Sequence, residues 1–111
     1  MANKIVRLNN GTDKVLPLNA FGFNLVKGTS TTFPAMTGQG DMYLIIAKRN
    51  SGSTEDLSAY VLSLGTENRY IVSPINENSL MPLSISVSEN VVTITNNAIY
   101  YAWIRILPLF V

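Results

Sequence analysis

The chain has 111 residues, of which eight are Lys or Arg, seven are Asp or Glu and none is Cys or His, so its formal charge is +1. Without Cys and His there is no disulfide framework, no zinc finger, no thiol nucleophile and no Ser-His or Cys-His catalytic pair. A charge near zero gives no electrostatic basis for binding nucleic acid, and 47% hydrophobic residues argue against disorder. We therefore expect one folded domain over residues 1–111 that is not an enzyme and binds no metal or cofactor.

The N-terminal segment, MANKIVRLNN, contains no apolar stretch followed by a small-residue cleavage site, so we expect no signal peptide. Residues 5–8 form a short apolar run that leads into NNGTD at 9–13, and residues 15–18 are again mostly apolar. Asn-Gly between two such runs is typical of a tight hairpin, because both residues tolerate a positive φ angle. The sequence therefore predicts a hairpin at the start of the chain.

Residues 28–40, with the sequence GTSTTFPAMTGQG, have three glycines and show no hydrophobic periodicity. This composition predicts a long loop, and long loops on β-scaffolds commonly carry function. The candidate binding residues of this loop are Thr31, Thr32, Phe33, Met36 and Gln39.

Further along the chain, β-rich runs at 43–47, 59–64 and 70–72 are separated by the turn-forming sequences NSGS and GTEN. Residues 83–88 alternate strictly between apolar and polar, and the pattern resumes at 92–95 after Ser-Glu-Asn. This alternation predicts a second hairpin whose apolar side chains face a core. Short strands broken by Gly, Asn and Ser throughout the chain indicate an all-β fold, either a compact antiparallel β-sandwich or a jelly roll.

The last fourteen residues, AIYYAWIRILPLFV, form the one long apolar run. A membrane-spanning helix needs about 20 apolar residues, so the shorter run, with Arg105 at its centre, predicts a buried strand and no membrane insertion. Both faces of that strand are largely apolar. We expect the face that becomes the interface between copies to carry Tyr101, Trp103, Arg105, Leu107 and Leu109.

A strand with two apolar faces needs protein on both sides, whereas a strand in a two-layer sandwich has only one buried face. A second copy of the chain is the simplest third layer, which predicts a homo-oligomer. Two alternatives stay open. The strand is central within a single domain, or its outer face is an apolar patch that binds another molecule.

Other candidate sites have weaker support in the sequence. The acidic residues fall mostly in predicted turns, and no spacing typical of a calcium loop, a phosphate-binding loop or a serine nucleophile is present. The five tyrosines and the single tryptophan suggest stacking against sugar rings, although aromatic side chains in strands more often form cores or interfaces. A carbohydrate- or receptor-binding module is therefore the alternative function.

The C-terminal third, SLMPLSISVSENVVTITNNAIYYAWIRILPL, has an alternating strand, a short turn, a V-x-I-x-N strand, an Asn-Asn turn and an aromatic strand with an Arg. It resembles the closing hairpin of small β-sandwich domains in bacteriophage virion proteins, such as tail-fibre tips, head fibres and capsid decoration proteins. The resemblance implies a non-enzymatic homotrimer on the virion surface, made in the host cytoplasm. Its implied partners are other copies, other virion proteins and a host glycan or receptor.

Overall fold

The computed structural model describes residues 4–7, 13–16, 20–35, 42–49, 56–65 and 69–109, the first two ranges as backbone alone. The expectation of an all-β chain with antiparallel sheets is confirmed, whereas the jelly-roll alternative stays a prediction. The strands are β1 (Lys4–Arg7), β2 (Asp13–Leu16), β3 (Phe21–Leu25), β4 (Ser30–Pro34), β5 (Met42–Arg49), β6 (Leu57–Leu64), β7 (Tyr70–Asn76), β8 (Leu83–Ser88), β9 (Val91–Asn96) and β10 (Ala102–Pro108).

The strands form a two-stranded sheet, β1-β2, a five-stranded sheet in the order β3-β10-β5-β6-β7, and a three-stranded sheet in the order β4-β9-β8. The last two sheets share one hydrophobic core. Tyr43, Ile45 and Leu62 enter it from the five-stranded sheet, and Val92 and Ile94 enter it from the three-stranded sheet. The chain crosses between these two sheets after β3, β4, β7 and β9.

The strands of both predicted hairpins pair as expected, and the Asn-Gly turn predicted for the first lies outside the described residues. In the first, β1 pairs with β2 in the register Ile5 opposite Val15. In the second, β8 and β9 are joined by Glu89 and Asn90, whose φ angles of 51° and 63° are those of a two-residue type I′ turn. The serines of β8 are exposed, as the alternation predicts, while Val87 is buried on its other face.

The predicted loop at 28–40 is wrong for its central part, because Ser30–Pro34 is strand β4. The strand pairs along its whole length with β9, so distant residues supply the hydrogen bonds that make this segment a strand. Phe33 is only 4% exposed and lies in the core, so it offers no surface to a ligand. Thr31 and Thr32 lie in the same strand, and Met36 and Gln39 lie outside the described residues.

One buried amide fixes two of the crossovers between the sheets. Asn96 has no exposed surface. Its Nδ2 donates to the carbonyl oxygens of Leu25 and Tyr100, at 2.9 Å each, and its Oδ1 accepts from the backbone N–H of Ala98 at 2.9 Å. These bonds join the end of β3 to the connection between β9 and β10. They also satisfy three backbone groups that would be costly to bury unpaired.

The crossover from β7 to β8 is held by two buried residues of β6. The Tyr60 hydroxyl donates to Glu77 Oε1 at 2.8 Å and accepts from the backbone N–H of Leu83 at 3.3 Å. The Ser58 hydroxyl accepts from the backbone N–H of Asn78 at 2.9 Å. Because β6 is a central strand, these bonds fix the path of the crossover relative to the core.

We expect Asn96→Ala to lower the free energy of unfolding by roughly 3 kcal/mol, because it leaves three buried backbone groups without their partner. Asn97→Ala is the matched control. The Asn97 side chain is exposed and bonds to Ser84 Oγ at the surface, so its loss should cost less than about 1 kcal/mol. Urea unfolding monitored by tryptophan fluorescence measures both. Equal losses for the two variants would show that Asn96 does not hold the crossovers.

Burial raises the pKa of the Tyr60 hydroxyl above its ordinary value of 10.0. The folded state therefore holds this proton more tightly than the unfolded state does. The resulting contribution to stability is complete below about pH 10 and is lost as the pH rises through the folded pKa. We expect the stability difference between the wild type and Tyr60→Phe to be constant up to about pH 9 and to shrink above about pH 10. Denaturant unfolding across this range measures it, and a difference that stays constant to about pH 11 contradicts the assignment.

Candidate functional site

Strand β10 presents opposite environments on its two faces. Ala102, Ile104 and Ile106 on one face are completely buried in the core. The side chains of the other face point away from the core: Trp103 is 37% exposed and Leu107 is 36% exposed. Because β10 lies between the edge strand β3 and the middle strand β5, its exposed face is an interior part of the five-stranded sheet. We call the side of this sheet that faces away from the core the outer face.

One half of the outer face is apolar. Leu107 of β10 lies opposite Leu44 of β5, and Leu44 lies opposite Val61 of β6, so three aliphatic side chains form a row across three strands. The next row carries Met42 of β5, Ser63 of β6 and Ile71 of β7, of which Ile71 is 66% exposed. Exposed apolar side chains grouped in this way are typical of sites where another protein binds.

The other half of the outer face carries cations beside an aromatic ring. The Nζ of Lys48 lies 5.2 Å from the centre of the Trp103 ring, and the two residues are directly opposite each other in the β5–β10 pair. Arg105 lies two positions along β10. Its Nη1 donates to the backbone carbonyl of Ile104 at 3.1 Å, and its side chain crosses Gly22 of β3. Among the described residues, no Asp or Glu lies on this face.

The outer side of the three-stranded sheet has a different chemistry. None of its described side chains is charged, and most carry hydroxyl groups. Ser30 Oγ and Thr95 Oγ1 are hydrogen-bonded across β4 and β9 at 2.6 Å. The hydroxyl-bearing residues on this side are Ser30, Thr32, Ser84, Ser86, Ser88, Thr93 and Thr95. Hydroxyl groups of this kind are readily hydrated, so this surface needs no protein to cover it.

The structure brings the predicted interface residues together. Trp103, Arg105 and Leu107 share the outer side of β10, and Tyr101 and Leu109 flank the strand at its two ends. All five are exposed. The sequence reasoning did not assign Lys48, Val61 or Ile71 to this surface. The register of β5, β6 and β7 places them there, and the apolar residues at alternate positions of β6 were the only local signal.

The described part of the chain also bears on metal binding, membrane spanning and cavities. There, no group of three or more Asp, Glu, His or Cys side chains could hold a metal ion. Within the same ranges, no helix is long and apolar enough to cross a membrane. An open cavity of about 370 Å³ lies beside the β6–β7 connection and is lined by Leu64, Arg69, Tyr70 and Ile71, among others.

The fold is similar to part of a solved phage protein, the tailspike protein of the Acinetobacter phage vB_ApiP_P1. The TM-score is 0.51 and the sequence identity is 14%, over 83% of this chain and 21% of the tailspike chain. This chain therefore spans about a fifth of the length of that protein, and the likeness is one of fold. No protein-family model and no curated protein matches the sequence.

Gly22 is needed where Arg105 crosses β3. A Cβ atom added there would lie 2.5 Å from the Ile104 carbonyl oxygen and 2.5 Å from Arg105 Nη1. We expect Gly22→Ala to lower the free energy of unfolding by roughly 1–2 kcal/mol, since close-packed backbone cannot yield. Asn24→Ala, at the next exposed position of β3, is the control and should change stability by less than about 0.5 kcal/mol. Urea unfolding tests the pair, and a Gly22→Ala variant as stable as the wild type would contradict the contact.

Proposed function

We propose that this chain is a non-enzymatic structural component on the exterior of a bacteriophage particle, as a capsid-decoration, head-fibre or tail-fibre protein. Copies of the chain assemble through the outer face, including β10, and other virion proteins are the further partners. The fold similarity to part of a phage tailspike supports the setting. The observation that carries the assembly is the row of aliphatic side chains on the outer face, in which Leu107 is exposed and Leu44 and Val61 are half-buried.

The contrast between the two outer surfaces of the molecule supports assembly through one of them. The three-stranded sheet presents hydroxyl groups to water, whereas the five-stranded sheet presents Trp103, Leu107 and their aliphatic neighbours. Both surfaces belong to the same chain and the same core. We attribute the difference in chemistry to what each surface contacts. The hydroxyl groups contact water, whereas the apolar side chains are stabilised by contact with protein.

The energy available from this face is moderate. Tyr101, Trp103, Leu107 and Leu109 are each between 36% and 44% exposed, because neighbouring strands already cover the rest of each side chain. Full burial of a large apolar side chain stabilises by about 1.5–3 kcal/mol, so completing the burial of each contributes roughly 1 kcal/mol. Association must also overcome the loss of rotational and translational freedom. A stable interface therefore has to include β5 and β6 as well as β10.

A homotrimer is the oligomer that we propose. Rotational symmetry closes such an assembly, so each copy buries its outer face and no copy is left with an uncovered one. The hydroxyl-bearing surface of each copy then faces outward. A surface of uncharged hydroxyl groups suits dense packing on a particle, because neighbouring copies do not repel one another.

A carbohydrate- or receptor-binding module is the second candidate function. The exposed rings of Tyr101 and Trp103 support it, since stacking on aromatic rings is a common mode of sugar recognition. Lys48, however, lies over the Trp103 ring, which leaves less of that ring open to a sugar. A glycan array with the purified protein tests this candidate, and a flat binding profile rejects it.

We expect Trp103→Asp to convert the oligomer to a monomer at micromolar concentration, because it removes the largest exposed ring of β10 from the contact and puts a hydrated carboxylate in its place. Size-exclusion chromatography with light scattering measures the mass. Ser86→Asp is the matched control, since it adds the same charge to the exposed side of β8 and should leave the oligomer intact.

Leu109→Asp is a second variant, placed just beyond β10, in case Trp103→Asp unfolds the chain. Far-ultraviolet circular dichroism reports folding for each protein. A wild type that is monomeric at micromolar concentration, or folded variants at both positions that keep the wild-type mass, would refute assembly through this face.

A further inference from the structure

We propose that the contact between copies is heterologous: the outer face of one copy docks on a different surface of the next copy, at the end of β7. We call that second surface the β7 patch, and define it by the exposed residues Ile75, Glu77 and Leu80. The proposal rests on the assembly stated under the proposed function, and it specifies which surface of the neighbouring copy covers the outer face.

The first observation is the charge on the outer face. Lys48 and Arg105 lie on it, and the described residues of this face include no carboxylate. The positions of both cations are restrained, since Lys48 rests over the Trp103 ring and Arg105 bonds to the Ile104 carbonyl oxygen. A partner that covers this face must therefore bring acceptors for two cations, in addition to apolar groups.

A two-fold contact of this face with itself does not meet that requirement. With the symmetry axis parallel to the strands, the cationic half of one copy lies against the cationic half of the other, and like charges repel. With the axis across the strands, Lys48 and Arg105 lie against the end that carries Met42 and Ile71, where the described side chains offer serine hydroxyl groups but no carboxylate to balance the two charges. The outer face is therefore not complementary to itself.

The β7 patch has the complementary chemistry. Ile75 is 63% exposed and Leu80 is 42% exposed, with the exposed Glu77 between them in the chain. The Glu77 carboxylate is fixed by the Tyr60 hydroxyl, at 2.8 Å, and the next residue is held by its backbone N–H to the Ser58 hydroxyl. One short segment thus presents a fixed anion and two exposed aliphatic side chains, which matches a surface that combines aliphatic rows with cations.

The free edge of β7 also favours contact through side chains over the addition of a further strand. The backbone N–H of Gly65 donates to the carbonyl oxygen of Arg69, so Arg69 and every second residue after it direct their backbone groups at β6. Pro74 is at one of the other positions, where the backbone N–H would point away from β6. Proline has no N–H, so the middle of this edge cannot donate to an incoming strand. A neighbouring copy approaches this side of the molecule with the face of a sheet, not with an edge.

Contact between two different surfaces is repeated by rotation around the assembly. Each copy uses its outer face on one neighbour and its β7 patch on the other, and the ring closes when the rotation per copy divides a full turn. This arrangement accommodates the trimer of the proposed function and leaves neither surface uncovered.

Charge reversal tests the pairing. We expect Glu77→Lys and Arg105→Glu each to weaken assembly about tenfold or more, because each places like charges in contact. The variant that carries both substitutions restores a pair of opposite charges across the contact, and it should assemble within about threefold of the wild type. Glu89→Lys makes the same charge change in the exposed β8–β9 turn, so it is the matched control and should assemble normally. Sedimentation velocity over a concentration series measures the dissociation constants.

Salt gives a second readout with wild-type protein. A contact between carboxylate and cation weakens as NaCl is raised, whereas a self-contact of the cationic face strengthens. Because Glu77→Lys also loses the bond to Tyr60, Leu80→Lys probes the β7 patch without touching that bond and should also weaken assembly, since it brings a cation against Lys48 and Arg105. Thermal unfolding checks that each variant is folded. Single reversals that assemble normally, a double variant no better than the singles, or assembly that strengthens with salt would each overturn the heterologous contact. A monomeric wild type would instead refute the proposed function.

Discussion

The position of β10 between β3 and β5 is the constraint on which the rest of the large sheet depends. Its inner side chains have no exposed surface, and their place in the core requires a strand on each side of β10 to complete the sheet. The same placement puts Trp103 and Leu107 on the opposite face, where no element among the described residues covers them. The apolar surface of the molecule is thus a direct consequence of the strand that completes its core.

The local patterns of the sequence predict both hairpins and the terminal strand, because alternation and turn chemistry depend on residues close together in the chain. Strand β4 could not be predicted from local patterns. Its Thr-rich sequence has no alternation of apolar and polar residues, and its partner, β9, lies about sixty residues away. The interface residues were predicted on β10 alone, although residues 42–47 of β5 are also apolar on both faces. The cationic half of the outer face and its extension over β5 and β6 depend on strand order, which no local window contains. Asn96 was missed for the same reason, since its three partners meet only in the folded chain.

Polar side chains have two different roles in this molecule. Buried polar side chains such as Asn96 and Tyr60 fix the crossovers between the sheets, where backbone groups would otherwise lack partners. Exposed hydroxyl groups cover the three-stranded sheet and make that side compatible with water. The outer face differs from both. Its charged groups are two cations that lie beside apolar side chains, and this combination distinguishes a surface built for a partner from one built for solvent.

The order of the strands also has a consequence for how the protein is made. Because β10 follows β3 and β5 in the chain and lies between them in the sheet, the ribosome releases both neighbours before the strand that joins them exists. Until then β3 has no strand partner, and β5 is paired on one side only. The β8–β9 hairpin can form within microseconds from adjacent residues, whereas insertion of β10 requires closure of long loops. The nascent chain therefore passes through a stage with two open sheet edges, when it is most exposed to aggregation and most in need of a chaperone.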